Sequence, residues 1–87
     1  MVYLLVRHKV RDLEKWKIVF DAHAEARAAR GVRTRFLFRN MLVPEEVVLM
    51  FEARELSTLR EFSVSPEFYR LALESETTGE PDLTFLQ

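Results

Sequence analysis

Apolar and polar residues alternate over 2–10. Val2, Leu4, Val6, His8 and Val10 fall on one face and Tyr3, Leu5, Arg7 and Lys9 on the other, which predicts a strand. From Leu13 the period lengthens to that of a helix. At about 100° per residue, Leu13, Trp16, Phe20, His23 and Arg27 share one stripe roughly 80° wide. Asp12 suits the cap of this helix, Glu14 its first turn, and Gly31 the position past its end, with Arg27 and Arg30 in the last turn. Period two returns over 33–40, with Phe36 and Phe38 opposite Arg33, Arg35, Leu37 and Arg39. Met41 to Pro44 form a connection, and 46–54 make a third strand through Val47-Val48-Leu49-Met50-Phe51. Ser57 reads as the cap of a short helix carrying Leu56, Leu59 and Phe62. Ser65-Pro66-Glu67 then restarts a helix carrying Phe68, Leu71, Ala72 and Ser75. Thr77 to Pro81 reads as a break, and Leu83-Thr84-Phe85-Leu86 as a last strand.

The resulting order, β-α-β-β-α-β, predicts a single ferredoxin-like α+β domain over 1–87. It would have a four-stranded antiparallel sheet and a second helix broken in two. The first and third strands occupy the middle of such a sheet, and here both are apolar on both faces. Two helices cover one face only, and an exposed antiparallel face should be polar. The simplest cover for the other face is a second copy of the chain, closing the two sheets into an α+β barrel.

Composition narrows the function classes. The chain has 87 residues, 48% of them hydrophobic, and a domain this small buries only about 60–65% of its unfolded surface. A net charge of −1, with charges of both signs interspersed, provides no field for nucleic acid or an anionic membrane. The absence of cysteine excludes disulfides, thiolate chemistry and iron–sulfur ligation. A metal site needs three or four ligands; with two histidines and no cysteine it would have to add Glu52 or Asp21, which no spacing supports, and two glycines make no phosphate loop, so neither metal nor cofactor is expected. Phe36 and Phe38 among arginines suggest an RNA-binding sheet, but the third strand lacks the aromatic and glycine motif that such a sheet carries. The opening run Val2–Val6 is too short for a signal peptide or a span, and the expected location is the cytoplasm.

Candidate chemistry lies where the first helical stripe turns polar, at His23 and Arg27. A cation buried without a partner costs several kcal/mol, comparable to the net stability of a small domain. Arg27 must therefore either reach solvent or line a pocket. In a pocket, Arg27 would stabilise developing negative charge on a carbonyl, phenolate or carboxylate, and His23 would move the proton. Trp16, Phe20 and Phe51 would hold and desolvate a ring. The alternative is an arginine paired with a glutamate or with carbonyls at the helix end, and a histidine satisfied by a backbone acceptor. His8 meets either the helices, where it could oppose His23, or a partner chain. Periodicity leaves both open.

A family resemblance rests on His8-Lys9-Val10-Arg11-Asp12 opening into Trp16-Lys17, Phe20-Asp21, His23, Arg27 and Gly31. It continues through Arg39-Asn40, Pro44-Glu45-Glu46-Val47-Val48-Leu49, Phe51-Glu52, Ser65-Pro66-Glu67 and Gly79-Glu80-Pro81. These resemble the dimeric α/β-barrel superfamily, on the side of the antibiotic biosynthesis monooxygenases and small proteins labelled cyclases. The resemblance implies a homodimer and a small aromatic or polycyclic ligand held between a chain's own sheet and helices. On that reading the candidate binding residues are His8, Trp16, Phe20 and Phe51, with His23 and Arg27 as the candidate catalytic pair. The implied chemistry is cofactor-independent oxygenation, or a cyclisation or isomerisation through an enolate-like intermediate. The alternative function is a non-catalytic module that binds a metabolite or assembles. The chain departs from the family pattern at the apolar connection Met41-Leu42-Val43 and the polar stretch Glu74-Ser75-Glu76-Thr77-Thr78.

Overall fold

The computed structural model describes residues 1–74 and 77–87, and side chains outside 72–78. Strand β1 (Val2–Val10) leads into helices α1 (Leu13–Ala22) and α2 (Ala24–Ala29), then strands β2 (Arg33–Arg39) and β3 (Glu46–Ala53). Helices α3 (Leu56–Ser63) and α4 (Pro66–Glu74) follow, and β4 (Thr77–Leu86) closes the sheet in the order β2-β3-β1-β4. Every pairing is antiparallel, and the apolar first and third strands form the central pair. This is the ferredoxin-like architecture that the sequence predicts.

The predicted signals act at both ends of the first helical segment. The Asp12 carboxylate accepts from the Lys15 amide at 3.1 Å, as an N-cap should. Gly31 follows α2 with φ +83°, a left-handed conformation that glycine adopts without a Cβ clash. Ser65 caps α4, its hydroxyl accepting from the Phe68 amide at 3.2 Å. Ser57 does not cap α3. That helix starts two residues earlier, at Leu56, behind Glu55, whose side chain makes no capping bond.

Leu4, Val6, His8 and Val10 turn toward the helices, with Val47, Leu49, Phe51 and Ala53 of β3 beside them. Trp16, Phe20, Leu59, Phe62, Phe68 and Leu71 cover them from the helical side. A chain of rings runs through this core. Phe51 meets Phe62 edge-on at 4.9 Å, and Phe62 meets Phe68 edge-on at 5.3 Å, the arrangement that aromatic quadrupoles favour.

Three segments depart from the predicted pattern. The helix expected to run unbroken to Arg27 is interrupted at His23. Strict alternation in β2 fails at a bulge between Thr34 and Phe36, which leaves Arg35 without a paired residue. Arg35 consequently lies on the side of Phe36 and Phe38, where its Nη1 reaches Glu52 Oε2 at 3.5 Å. The supposed break at Thr77–Pro81 is part of β4. Its pairing shifts between Arg7↔Asp82 and Lys9↔Thr78, so that Gly79, Glu80 and Pro81 bulge out opposite His8. Pro81 has no amide hydrogen for the ladder, and Gly79, at φ +74°, takes the turn that the bulge requires.

The face of the sheet away from the helices carries Leu5, Val48, Met50, Phe36, Phe38 and Leu86, placed together by the strand register. None of the described helices lies over it. At the end of the β2–β3 hairpin, Met41 is 94% and Leu42 91% exposed. The Asn40 side chain holds this turn by accepting from the Leu42 amide at 2.9 Å.

Candidate ligand site

His8 sits on the helix-facing side of β1 and is 6% exposed, which settles the face that periodicity left open. With Val6 on its own strand and Leu49 and Phe51 on β3, it forms the floor of a cavity of about 10 Å³. Trp16 of α1 and Phe68 and Leu71 of α4 complete the walls. That volume is about the space one water molecule occupies. The expected ring-holding residues Trp16 and Phe51 thus meet His8 at one place.

The imidazole is fixed from behind by the β4 bulge. His8 Nε2 lies 3.3 Å from the Gly79 carbonyl oxygen. A carbonyl only accepts, so in the neutral ring Nε2 carries the hydrogen and Nδ1 keeps its lone pair. Burial holds the His8 pKa below the ordinary histidine value, partly offset by the Gly79 bond. This has a consequence for stability. Below about pH 6.5 the unfolded chain binds a proton that folded His8 resists, so stability is complete above that pH and falls as pH decreases, by up to ~1.4 kcal/mol per pH unit. Urea melts between about pH 5 and pH 7 should show this slope, and His8→Gln, which keeps a donor for Gly79, should flatten it. An equal slope in the variant would assign the titration elsewhere.

Trp16 is 1% exposed and stacks on Phe20 with centroids 5.1 Å apart and planes 17° from parallel. Phe20 in turn lies 6.3 Å from Phe51. The Trp16 Nε1–H is buried with no acceptor among the described residues. A buried donor left in that condition costs about 1–3 kcal/mol, so its retention in a wall of the cavity calls for a reason.

His23 and Arg27 do not line this cavity. His23 ends α1, where its Nδ1 lies 2.9 Å from the Val19 carbonyl and donates to it. Arg27 is 6% exposed, and its Nη1 donates to the Phe20 carbonyl at 2.8 Å. Its guanidinium carbon lies 3.8 Å from the centroid of the Phe20 ring. Desolvation lowers the Arg27 pKa, and the negative charge of Asp21 opposes the shift. The pair therefore supplies donors to carbonyls of the last turn of α1, where the α1–α2 interruption leaves main-chain acceptors short of partners. Arg27 does not reach solvent and, among the described residues, meets no buried acid. It is a buried cation held by a carbonyl and an aromatic face.

The sequence does not mark Phe68, Leu71 or the Gly79 carbonyl as parts of a site. Phe68 and Leu71 are legible as a helical stripe but not as cavity walls. The Gly79 carbonyl is a main-chain group, and every residue but its position is equivalent in that respect. Among the described residues no three histidine, aspartate or glutamate side chains converge as a metal site would require. Among the same residues, no helix is long and apolar enough to cross a membrane.

No family model matches the sequence, and no curated relative matches it. Solved structures do. A structure titled antibiotic biosynthesis monooxygenase superimposes over 100% of this chain and 97% of its own, at 15% identity and TM-score 0.71. A Bordetella bronchiseptica protein provisionally given the same name reaches TM-score 0.81 at 14% identity, covering 99% of this chain and 94% of its own. Rv0793 from Mycobacterium tuberculosis is 22% identical with TM-score 0.73, covering 99% and 92%. The chain has the fold of the antibiotic biosynthesis monooxygenases. At these identities it is the backbone arrangement that is shared, and whatever the chain binds must be argued from its own side chains.

Proposed function

We infer that this protein is a homodimer whose subunits each bind a small aromatic or polycyclic molecule between sheet and helices, at the cavity walled by His8, Trp16 and Phe51. The observation that carries this reading is one cavity in which the His8 imidazole and the Trp16 side chain stand among aromatic and aliphatic walls. Few polar groups in an apolar enclosure is the usual make-up of a small-molecule site. Phe20 extends the aromatic wall behind Trp16. As an enzyme it would perform cofactor-independent oxygenation, or a cyclisation or isomerisation through an enolate-like intermediate. His8 is then the group at the cavity able to move a proton, while His23 and Arg27 act through Phe20 and the end of α1. A thermal-shift screen with small phenols and quinones, followed by oxygen uptake with any hit, tests the reading. A ligand at a hundred times its Kd should add about 2.7 kcal/mol of stability, several degrees in Tm. No shift with any of them would remove the ligand-binding function.

The dimer rests on the uncovered sheet face. Phe38 is 62% exposed there and stacks on Phe36 with centroids 5.0 Å apart. Contiguous apolar patches of this kind mark interfaces, and a stable one buries more than about 1,200 Å² in total. Sedimentation equilibrium should give a dimer at low micromolar concentration, and Phe38→Glu should yield folded monomer. A wild-type chain that is folded and monomeric under the same conditions would refute the sheet-to-sheet assembly.

A further inference from the structure

The tip of the β2–β3 hairpin is apolar, almost fully exposed at Met41 and Leu42, and braced by one side chain. Asn40 Oδ1 accepts from the Leu42 and Val43 amides at 2.9 and 3.3 Å, and Asn40 Nδ2 donates to Glu46 Oε1 at 3.1 Å. Turns in water are ordinarily polar, and a turn already set in place loses little further freedom when it docks. A second exposed apolar feature is an open groove of about 1,070 Å³ between the corner joining α3 to α4 and the β4 bulge. Val64 and Tyr69, both exposed, stand on its helical side, with Pro81 and Leu83 on its strand side. Tip and groove lie at one end of the sheet, since Val10 donates to the Glu45 carbonyl at 2.8 Å on the hairpin side and pairs with Thr77 on the other. They lie at opposite edges, because β2 and β4 are the outer strands. Three strand spacings, roughly 14 Å, separate a chain's tip from its own groove.

Two sheets packed face to face with aligned strands can be related by a two-fold axis in either of two directions. An axis along the strands lays β2 of one sheet against β4 of the other and keeps like ends together. An axis across the strands lays each edge against itself and exchanges the ends. Charges on the open face separate the two. Glu46 and Glu52 fall on that face at opposite ends of β3, paired with Lys9 and Tyr3 of β1. With the axis along the strands, β3 of one copy faces β1 of the other. Glu46 then comes opposite Lys9, and Glu52, already 5% exposed in the single chain, comes opposite Tyr3. With the axis across the strands, β3 faces β3 end for end, and Glu46 comes opposite Glu52. Like charges set against each other in an interface cost several kcal/mol, so the first arrangement is favoured. It carries the hairpin tip of each copy to the β4 bulge of the other.

We propose that the Met41–Leu42 tip of one copy seats in the groove of the other, against Val64, Tyr69 and Pro81, so that each dimer is interlocked twice. The proposal rests on the homodimer reading above and specifies how the copies engage. Phe68 lines both this groove and the His8 cavity, so the tip of one copy backs a cavity wall of the other. The chain has no cysteine, which makes disulfide trapping unambiguous. Leu42→Cys and Val64→Cys, mixed, equilibrated and oxidised with diamide, should give a covalent dimer, whereas each variant oxidised alone should not. Tyr69→Cys in place of Val64→Cys samples a second position in the groove. A disulfide forms only where Cα atoms come within about 7 Å, so the bridge reports the contact itself. Leu42→Ser should raise the dimer dissociation constant about tenfold or more in sedimentation equilibrium, as expected for a buried leucine lost. If the wild type is dimeric while neither mixture cross-links, or while Leu42→Ser dimerises as tightly, the docking is wrong and the sheet-to-sheet dimer stands. A covalent dimer from Leu42→Cys alone would set tip against tip and overturn it equally. Binding to phosphatidylcholine vesicles that Leu42→Ser abolishes, without a mixed cross-link, would assign the tip to a membrane surface instead. A monomeric wild type removes both this proposal and the homodimer.

Discussion

Trp16→Ala is expected to destabilise the domain by about 3–5 kcal/mol, the range for removing a large buried aromatic side chain. The residue is 1% exposed, stacks on Phe20, and walls the cavity opposite the sheet. Its removal would strip one face of Phe20 and leave a void that α1 can close only by moving across β1 and β3. Part of the loss is offset, because the unpaired Nε1–H disappears with the ring. Trp16→Phe removes that donor while keeping most of the packing, so it should cost clearly less than the alanine. Equilibrium urea unfolding, followed by far-ultraviolet circular dichroism since no tryptophan remains, measures both. An alanine cost below about 1 kcal/mol would mean that the ring does not pack as described.

Arg27→Met is expected to cost about 1–3 kcal/mol. It removes a charge-assisted bond to the Phe20 carbonyl, about 1.5–3 kcal/mol, and the contact of the guanidinium with the Phe20 ring, about 0.5–2 kcal/mol. Against these stands the desolvation of a full-time cation, which the variant no longer requires. The Phe20 carbonyl also keeps the His23 amide at 3.2 Å, which limits the damage. A loss of about 3–5 kcal/mol would instead signal a buried acid left unpaired. No change, joined to weaker ligand binding, would return Arg27 to the role of a ligand anchor. Denaturant melts with and without a hit from the phenol and quinone screen separate the three outcomes.

The sequence supports the burial of Trp16 more fully than the surroundings of Arg27. The burial of Trp16 follows from the helical stripe that it shares with Leu13 and Phe20, because an amphipathic helix has one apolar side to place against a sheet. Central positions for β1 and β3 follow likewise from strands apolar on both faces, and the caps at Asp12, Gly31 and Ser65 from the backbone chemistry of those residue types. The same two-sided strands left a sheet face uncovered in a single chain, as the pattern requires.

The fate of Arg27 was not legible. Its stripe position marked it as anomalous, yet its acceptor is a main-chain carbonyl seven residues earlier, and carbonyls are the same at every position of the chain. The interruption at His23 is hidden for a related reason: a side chain that competes for the last carbonyls of a helix does so only where the helix has an end to cap. Strand periodicity fixed which residues accompany His8 but not which layer lies over them, so its meeting with Trp16 depended on the packing of α1. The bulges at Arg35 and at Gly79–Pro81 depend on pairing with a neighbouring strand, and one inserted residue reverses the faces that alternation assigns. What the sequence by itself determined is the set of elements, their apolar sides and their ends, which local backbone and side-chain preferences dictate. The tertiary structure alone decided which polar groups face one another across those elements, because that depends on contacts between segments distant in the chain.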